Sequence, residues 1–99
     1  MLTSKARAYL RGIASTADTI LQVGKEGVTD TVVSQLDMTL TAREIVKGRV
    51  LDNSLLSPRE AGEALASACG AELVCAIGTK FVIYRESKKL PREKRIQLP

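Results

Sequence analysis

Gly24-Lys25-Glu26-Gly27 sets a cation between two glycines, directly after the apolar run Ile20-Leu21-Gln22-Val23 and directly before a helix start at Val28-Thr29-Asp30. Residues of these types at this spacing can hold a phosphate. Glycine lets the backbone turn sharply and approach a ligand closely, because it carries no Cβ. A helix beginning just beyond the turn directs backbone N–H groups and a positive dipole end at the same spot. Lys25 adds a full charge, whereas Glu26 opposes an anion and is expected to point away or to weaken the grip. A GxxG tetrapeptide is common by chance, so its weight lies in the strand before it and the helix after it.

A turn of this kind reaches only a short stretch of a polyanion, and further cations are needed around it. Lys5, Arg7 and Arg11 fall in the first predicted helix, Lys47 and Arg49 in the second predicted strand, and Lys80 at a hairpin tip. The plain alternative for each is a solvated surface residue. Catalysis is poorly supplied. The chain has no histidine, which removes the commonest general base and metal ligand. The acid pairs Glu60/Glu63 and Asp30/Asp37 lie on helices with no evident cleft partner. Cys69 and Cys75 are too few soft ligands for a structural zinc site, and both read as reduced, largely buried thiols. The expectation is binding without chemistry: no enzyme, no metal and no cofactor.

Ninety-nine residues and 44% hydrophobic content suit one domain with a modest, mostly aliphatic core. The net charge of +4 is unevenly spread. Residues 1–84 carry nine basic and nine acidic side chains, and residues 85–99 carry six and two. The basic tail favours anionic partners, although a solvated, flexible terminus explains it as well. No apolar run is long enough to span a bilayer and the N-terminus lacks a secretory apolar core, so a cytoplasmic location away from membranes is expected.

The elements that must position the turn follow from pattern. Thr3 or Ser4 caps a helix to about Thr16, with Ala6, Tyr9, Leu10, Ile13 and Ala17 in one apolar stripe. Residues 19–23 form a strand. Thr29 caps a second helix, with Asp30 in its first turn and Val32, Val33, Leu36 and Leu40 facing the core. A second strand runs from Glu44 to Leu51, with Gly48 unexpectedly in place of a β-branched residue. Ser57-Pro58-Arg59-Glu60 is a capping box with proline at the first helical position. The helix it starts buries Ala61, Ala64, Leu65 and Ala68 and ends near Gly70. Residues 72–77 and 81–85 make a hairpin about Gly78-Thr79-Lys80. The order α-β-α-β-α-β-β predicts an α/β (α+β) single domain with a four-stranded mixed sheet packed by helices.

Four blocks resemble one known family: Leu2-Thr3-x-Lys5-x-Arg7-x-x-Leu10-Arg11, Val23-Gly24-Lys25-x-Gly27-Val28-Thr29, Arg43-Glu44-Ile45-Val46-Lys47, and Ile77-Gly78 followed by Tyr84-Arg85. In order and spacing they are similar to the bacterial stand-alone CRM domain (chloroplast RNA splicing and ribosome maturation), the YhbY-type proteins. The resemblance covers residues 1–85 and leaves 86–99 as a basic tail expected to be flexible. It implies a fold similar to the C-terminal domain of translation initiation factor three. It also implies RNA binding, association with large-subunit rRNA precursors and a role in ribosome assembly. The family's proposed RNA contact is the GxxG loop, here Gly24, Lys25, Glu26 and Gly27. With Thr29, Lys5, Arg7, Arg11, Lys47 and Arg49 these make up the expected RNA-binding set. A monomer is expected. The competing reading is a protein-docking module that meets a ribosomal protein or assembly factor through an open sheet face.

Overall fold

The computed structural model describes residues 2–99. The elements are α1 (Ser4–Ser15), β1 (Leu21–Val23), α2 (Asp30–Arg43), β2 (Ile45–Val50), α3 (Pro58–Ala68), β3 (Glu72–Ile77) and β4 (Lys80–Tyr84), followed by a single 3-10 turn (Arg92–Lys94). The expected element order and mixed four-stranded sheet are both present. The strands lie in the order β1-β2-β4-β3, with β1 parallel to β2 and the other pairings antiparallel.

Local chemistry sets the helix ends. Thr3 Oγ1 accepts from the Ala6 N–H at 3.0 Å and Thr29 Oγ1 from the Val32 N–H at 3.3 Å. At α3 both halves of the capping box form, with the Glu60 N–H donating to Ser57 Oγ at 3.1 Å and the Ser57 N–H to Glu60 Oε1 at 2.9 Å. The bond from the Ser57 amide holds the Glu60 carboxyl below its ordinary pKa. Beyond α3, Gly70 takes φ +62°, the left-handed conformation that closes a helix at little cost only for glycine.

Helices cover both faces of the sheet, which corrects the expectation of an open one. Leu36 and Leu40 of α2 and Ala61 and Leu65 of α3 pack on Leu21, Val23, Val46, Phe81 and Ile83. On the other face Leu10 and Ala14 of α1 pack on Val74, Val82 and Tyr84. Sheet residues alternate faces, so β2, β3 and β4 feed both cores, while β1 gives Leu21 and Val23 to the first alone. The inward faces of α1 and α3 differ from the predicted stripes. Ala6, Leu10 and Ala14 line α1 while Tyr9 is 45% exposed. In α3 the buried set is Ala61, Gly62, Leu65 and Ala66, and Ala64 and Ala68 face solvent. The rotation of α3 has a cause: Gly62 must face the sheet, because a Cβ there would sit 2.6 Å from Leu73 Cδ1 and 3.3 Å from Phe81 Cβ.

Gly48 has the same cause. It pairs with Phe81 across β2 and β4, and a Cβ at Gly48 would run into the Phe81 ring. The absent side chain makes room for the largest fully buried one among the described residues.

The C-terminal segment docks against the fold. Glu44 closes α2 with φ +67° and is fully buried. Its Oε2 accepts the Ser87 N–H at 2.7 Å and its Oε1 the Ile96 N–H at 2.6 Å. Ser87 Oγ donates to Thr41 O at 2.6 Å, and Ile96 packs beneath α1. One carboxylate, placed by the helix end and not by the strand assigned to it from sequence, thus ties down two points of the tail.

Candidate functional site

Gly24 to Gly27 form a tight turn at the end of β1, closed by the Gly27 N–H donating to Gly24 O at 3.0 Å. Lys25 and Glu26 stand exposed at its tip. The two glycines do different work. Gly27 needs its freedom, with φ +72°. A Cβ at Gly24 would meet Leu51 Cδ1 at 3.4 Å and Asn53 Oδ1 at 3.6 Å, so there the glycine mainly provides close packing against the loop between β2 and α3. That loop is tied to the strand by the Leu51 N–H donating to Val23 O at 2.8 Å. The Lys25 and Glu26 amides have no hydrogen-bond partner among the described residues, leaving two donors at the tip. The start of α2 is less open than predicted. The Thr29 hydroxyl is taken as the cap, and Asp30 already sits in the first turn.

The turn stands at one end of the sheet, and the register places its neighbours. Val23 pairs with Val50 and Gln22 with Arg49 on one side of β2, and Arg49 pairs with Lys80 of β4 on the other. Arg49 and Lys80 therefore stand directly opposite each other, both exposed, an arrangement of like charges that weakens a sheet. Arg11, on the flank of α1 that faces the β3–β4 hairpin, lines the same recess as Lys80. Arg11, Lys25, Arg49 and Lys80 have no hydrogen-bond or ion-pair partner among the described residues.

Other cations from the predicted set are placed elsewhere or already engaged. Arg7 donates to Leu73 O at 2.6 Å and Val74 O at 3.0 Å and pairs with Glu72 at 3.5 Å. It fastens α1 to the irregular part of β3 between Leu73 and Cys75. The Leu2 N–H, and then Arg7, hold the Glu72 carboxyl below its ordinary pKa. Lys47 Nζ donates to Ala14 O at 3.0 Å, closing the end of α1, and is half-buried. Lys5 is in the first turn of α1, about 15 Å of helix rise before Ser15 and on the opposite flank from Arg7 and Arg11. Of the ten predicted residues, the structure gathers Gly24, Lys25, Glu26, Gly27, Thr29, Arg49 and Arg11 at one end. It sets Lys5 and Arg7 apart, and Lys47 stands between. Lys80 falls outside the predicted set, because a hairpin-tip lysine signals only solubility until its strand is known to lie beside β2.

No three His, Cys, Asp or Glu side chains among the described residues are grouped to hold a metal ion. No helix among them is long and apolar enough to cross a membrane.

The fold and the site define a class: small α/β domains with a glycine-bracketed lysine turn at one end of a mixed sheet. Within that class the chain belongs to the CRS1 / YhbY (CRM) domain family, whose pattern matches residues 2–85. It is 40% identical to a Bacillus subtilis protein named "Probable RNA-binding protein YqeI", over the full length of both chains. It is 35% identical over 94 residues to a "Probable RNA-binding protein" of Methanocaldococcus jannaschii, covering 93% of this chain and 66% of that one. The solution structure of a hypothetical protein from Staphylococcus aureus superposes over the whole of both chains with a TM-score of 0.81 at 44% identity.

Proposed function

We propose that this protein binds RNA without chemistry and, as the family resemblance implies, assists assembly of the large ribosomal subunit on its rRNA precursor. The observation that carries the reading is the gathering of four unpartnered cations, Arg11, Lys25, Arg49 and Lys80, with the Gly24–Gly27 turn at one end of the sheet. Unpaired charges held on rigid strands and helices are costly to keep together and are repaid by a polyanion. The names of the relatives support RNA as that polyanion. Phosphate contacts give affinity and register but little sequence information.

Lys25→Ala and Arg49→Gln should each weaken binding to large-subunit rRNA and lower the log–log salt slope by roughly 0.7–0.9 for every phosphate no longer neutralised. The thermal midpoint should stay put in Lys25→Ala and should hold or rise slightly in Arg49→Gln, which relieves the like-charge pair with Lys80. Filter binding at several salt concentrations tests this, and unchanged slopes in both variants would refute the site. Arg7→Ala should do the reverse, lowering the thermal midpoint while sparing the salt slope. If association with precursor particles survives nuclease treatment, a protein partner replaces RNA as the ligand.

A further inference from the structure

On the α1 side of the sheet, beside the end that carries the glycine turn, lies a recess of about 180 Å³. Val82 and Cys75 form its floor and Ala14 of α1 one side; Ile77, 61% exposed, forms the other. Arg11, Lys47 and Lys80 complete the lining with Ser15. We propose that this recess accepts one unpaired nucleobase of a single-stranded RNA segment whose backbone crosses Arg49 and Lys80 toward the Gly24–Gly27 turn. The proposal rests on the RNA reading above and names the form of RNA that is bound.

Three observations carry it. The lining is apolar, and an apolar floor does not compensate a phosphate for its lost hydration, whereas the flat face of a base loses little there. The volume is below the ~300–1,000 Å³ of sites that enclose drug-sized ligands, which leaves room for one ring system. Three of the lining side chains, Arg11, Lys47 and Lys80, are cationic, and they can meet the phosphates on either side of an inserted base. Arg49 opposite Lys80 adds a pair of like charges that an intervening phosphate relieves. A paired base cannot take this path, because bases in A-form duplex remain stacked, with edges that side chains scarcely reach.

The cations also discriminate among bases. Arginine and lysine side chains only donate hydrogen bonds, and Lys47 keeps donors free beyond the one given to Ala14 O. Uracil O4 and guanine O6 are acceptors at the positions where cytosine N4 and adenine N6 are donors, so uracil and guanine match these donor side chains better.

Cys75 in the floor is a free thiol and a built-in reporter. In a Cys69→Ala background, its alkylation rate by iodoacetamide is measured with a short oligouridine, with the same strand paired to oligoadenine, and with uridine monophosphate. Affinity for each RNA is read in parallel by fluorescence anisotropy. Saturating single strand should slow the reaction several-fold, and duplex or mononucleotide at equal nucleotide concentration should leave it nearly unchanged. Ser15→Phe, an exposed position at the recess, should fill it and weaken single-strand binding several-fold, without moving the thermal midpoint. RNA that binds while Cys75 reacts as before overturns the base pocket and leaves the RNA reading intact. Equal protection by duplex or by the mononucleotide also overturns it, and failure to bind any RNA removes both readings.

Discussion

Truncation after Arg85 is expected to cost about 3 kcal/mol, at the low end of the range for breaking a buried charged contact because water enters the space left behind. The truncated chain loses the Ser87 and Ile96 amides, the two donors that satisfy the buried Glu44 carboxylate. Typical domains are stable by only ~5–15 kcal/mol, so the loss is a large fraction of the whole. Urea denaturation of the two chains measures it. The sharper test is a change of sign. In the full chain Glu44→Ala strands the buried Ser87 donor, a loss of ~1–3 kcal/mol for a group left unmet, and frees the part-buried Ile96 donor as well. In the truncated chain the same substitution removes an uncompensated carboxylate and should restore stability. If Glu44→Ala destabilises both chains equally, the carboxylate is not the latch. A corollary follows for the basic tail: its charge is better tested by neutralising the exposed Lys88, Lys89 and Lys94 than by deleting it.

Gly48→Val should cost about 3 kcal/mol or more, at or beyond the upper end of ordinary overpacking. The new side chain points into the Phe81 ring. The ring cannot retreat, because Gly62 of α3 already lies against the Phe81 side chain and Leu73. A second substitution identifies the cause. Phe81→Leu alone opens a cavity and destabilises, but combined with Gly48→Val it should recover much of the loss, since each change supplies what the other removes. Strictly additive thermal shifts would show that Gly48 is required for some reason other than the ring. A glycine that by propensity weakens its strand is thus what lets that strand accommodate the largest fully buried side chain among the described residues.

How much is readable from residues alone depends on distance along the chain. Thr3, Thr29 and the Ser57–Glu60 box act within three residues, so the helix starts are legible, as is the Gly78 hairpin. The order of the strands is not, because β4 lies between β2 and β3 by long-range pairing that no local pattern encodes. Without that order, Arg49 and Lys80 cannot be recognised as opposite partners, nor can Gly48 be matched to Phe81. Glu44 reads locally as the first residue of a strand. Its burial depends on Ile96, 52 positions away. The cations show the same limit from the other side. Arg7 and Arg11 share a helix flank, and that much is visible in their spacing. Only the fold shows that one meets backbone carbonyls and the other lines a recess.

The bonds from Arg7 to Leu73 and Val74 have a consequence for how copies of this chain meet one another. β3 is an outer strand of the sheet, and an outer strand with free carbonyls is a template on which a second chain can add its own strand. Here a guanidinium occupies two of those carbonyls beside a local irregularity in the ladder. The same cation that holds α1 in place therefore blunts this edge against self-association.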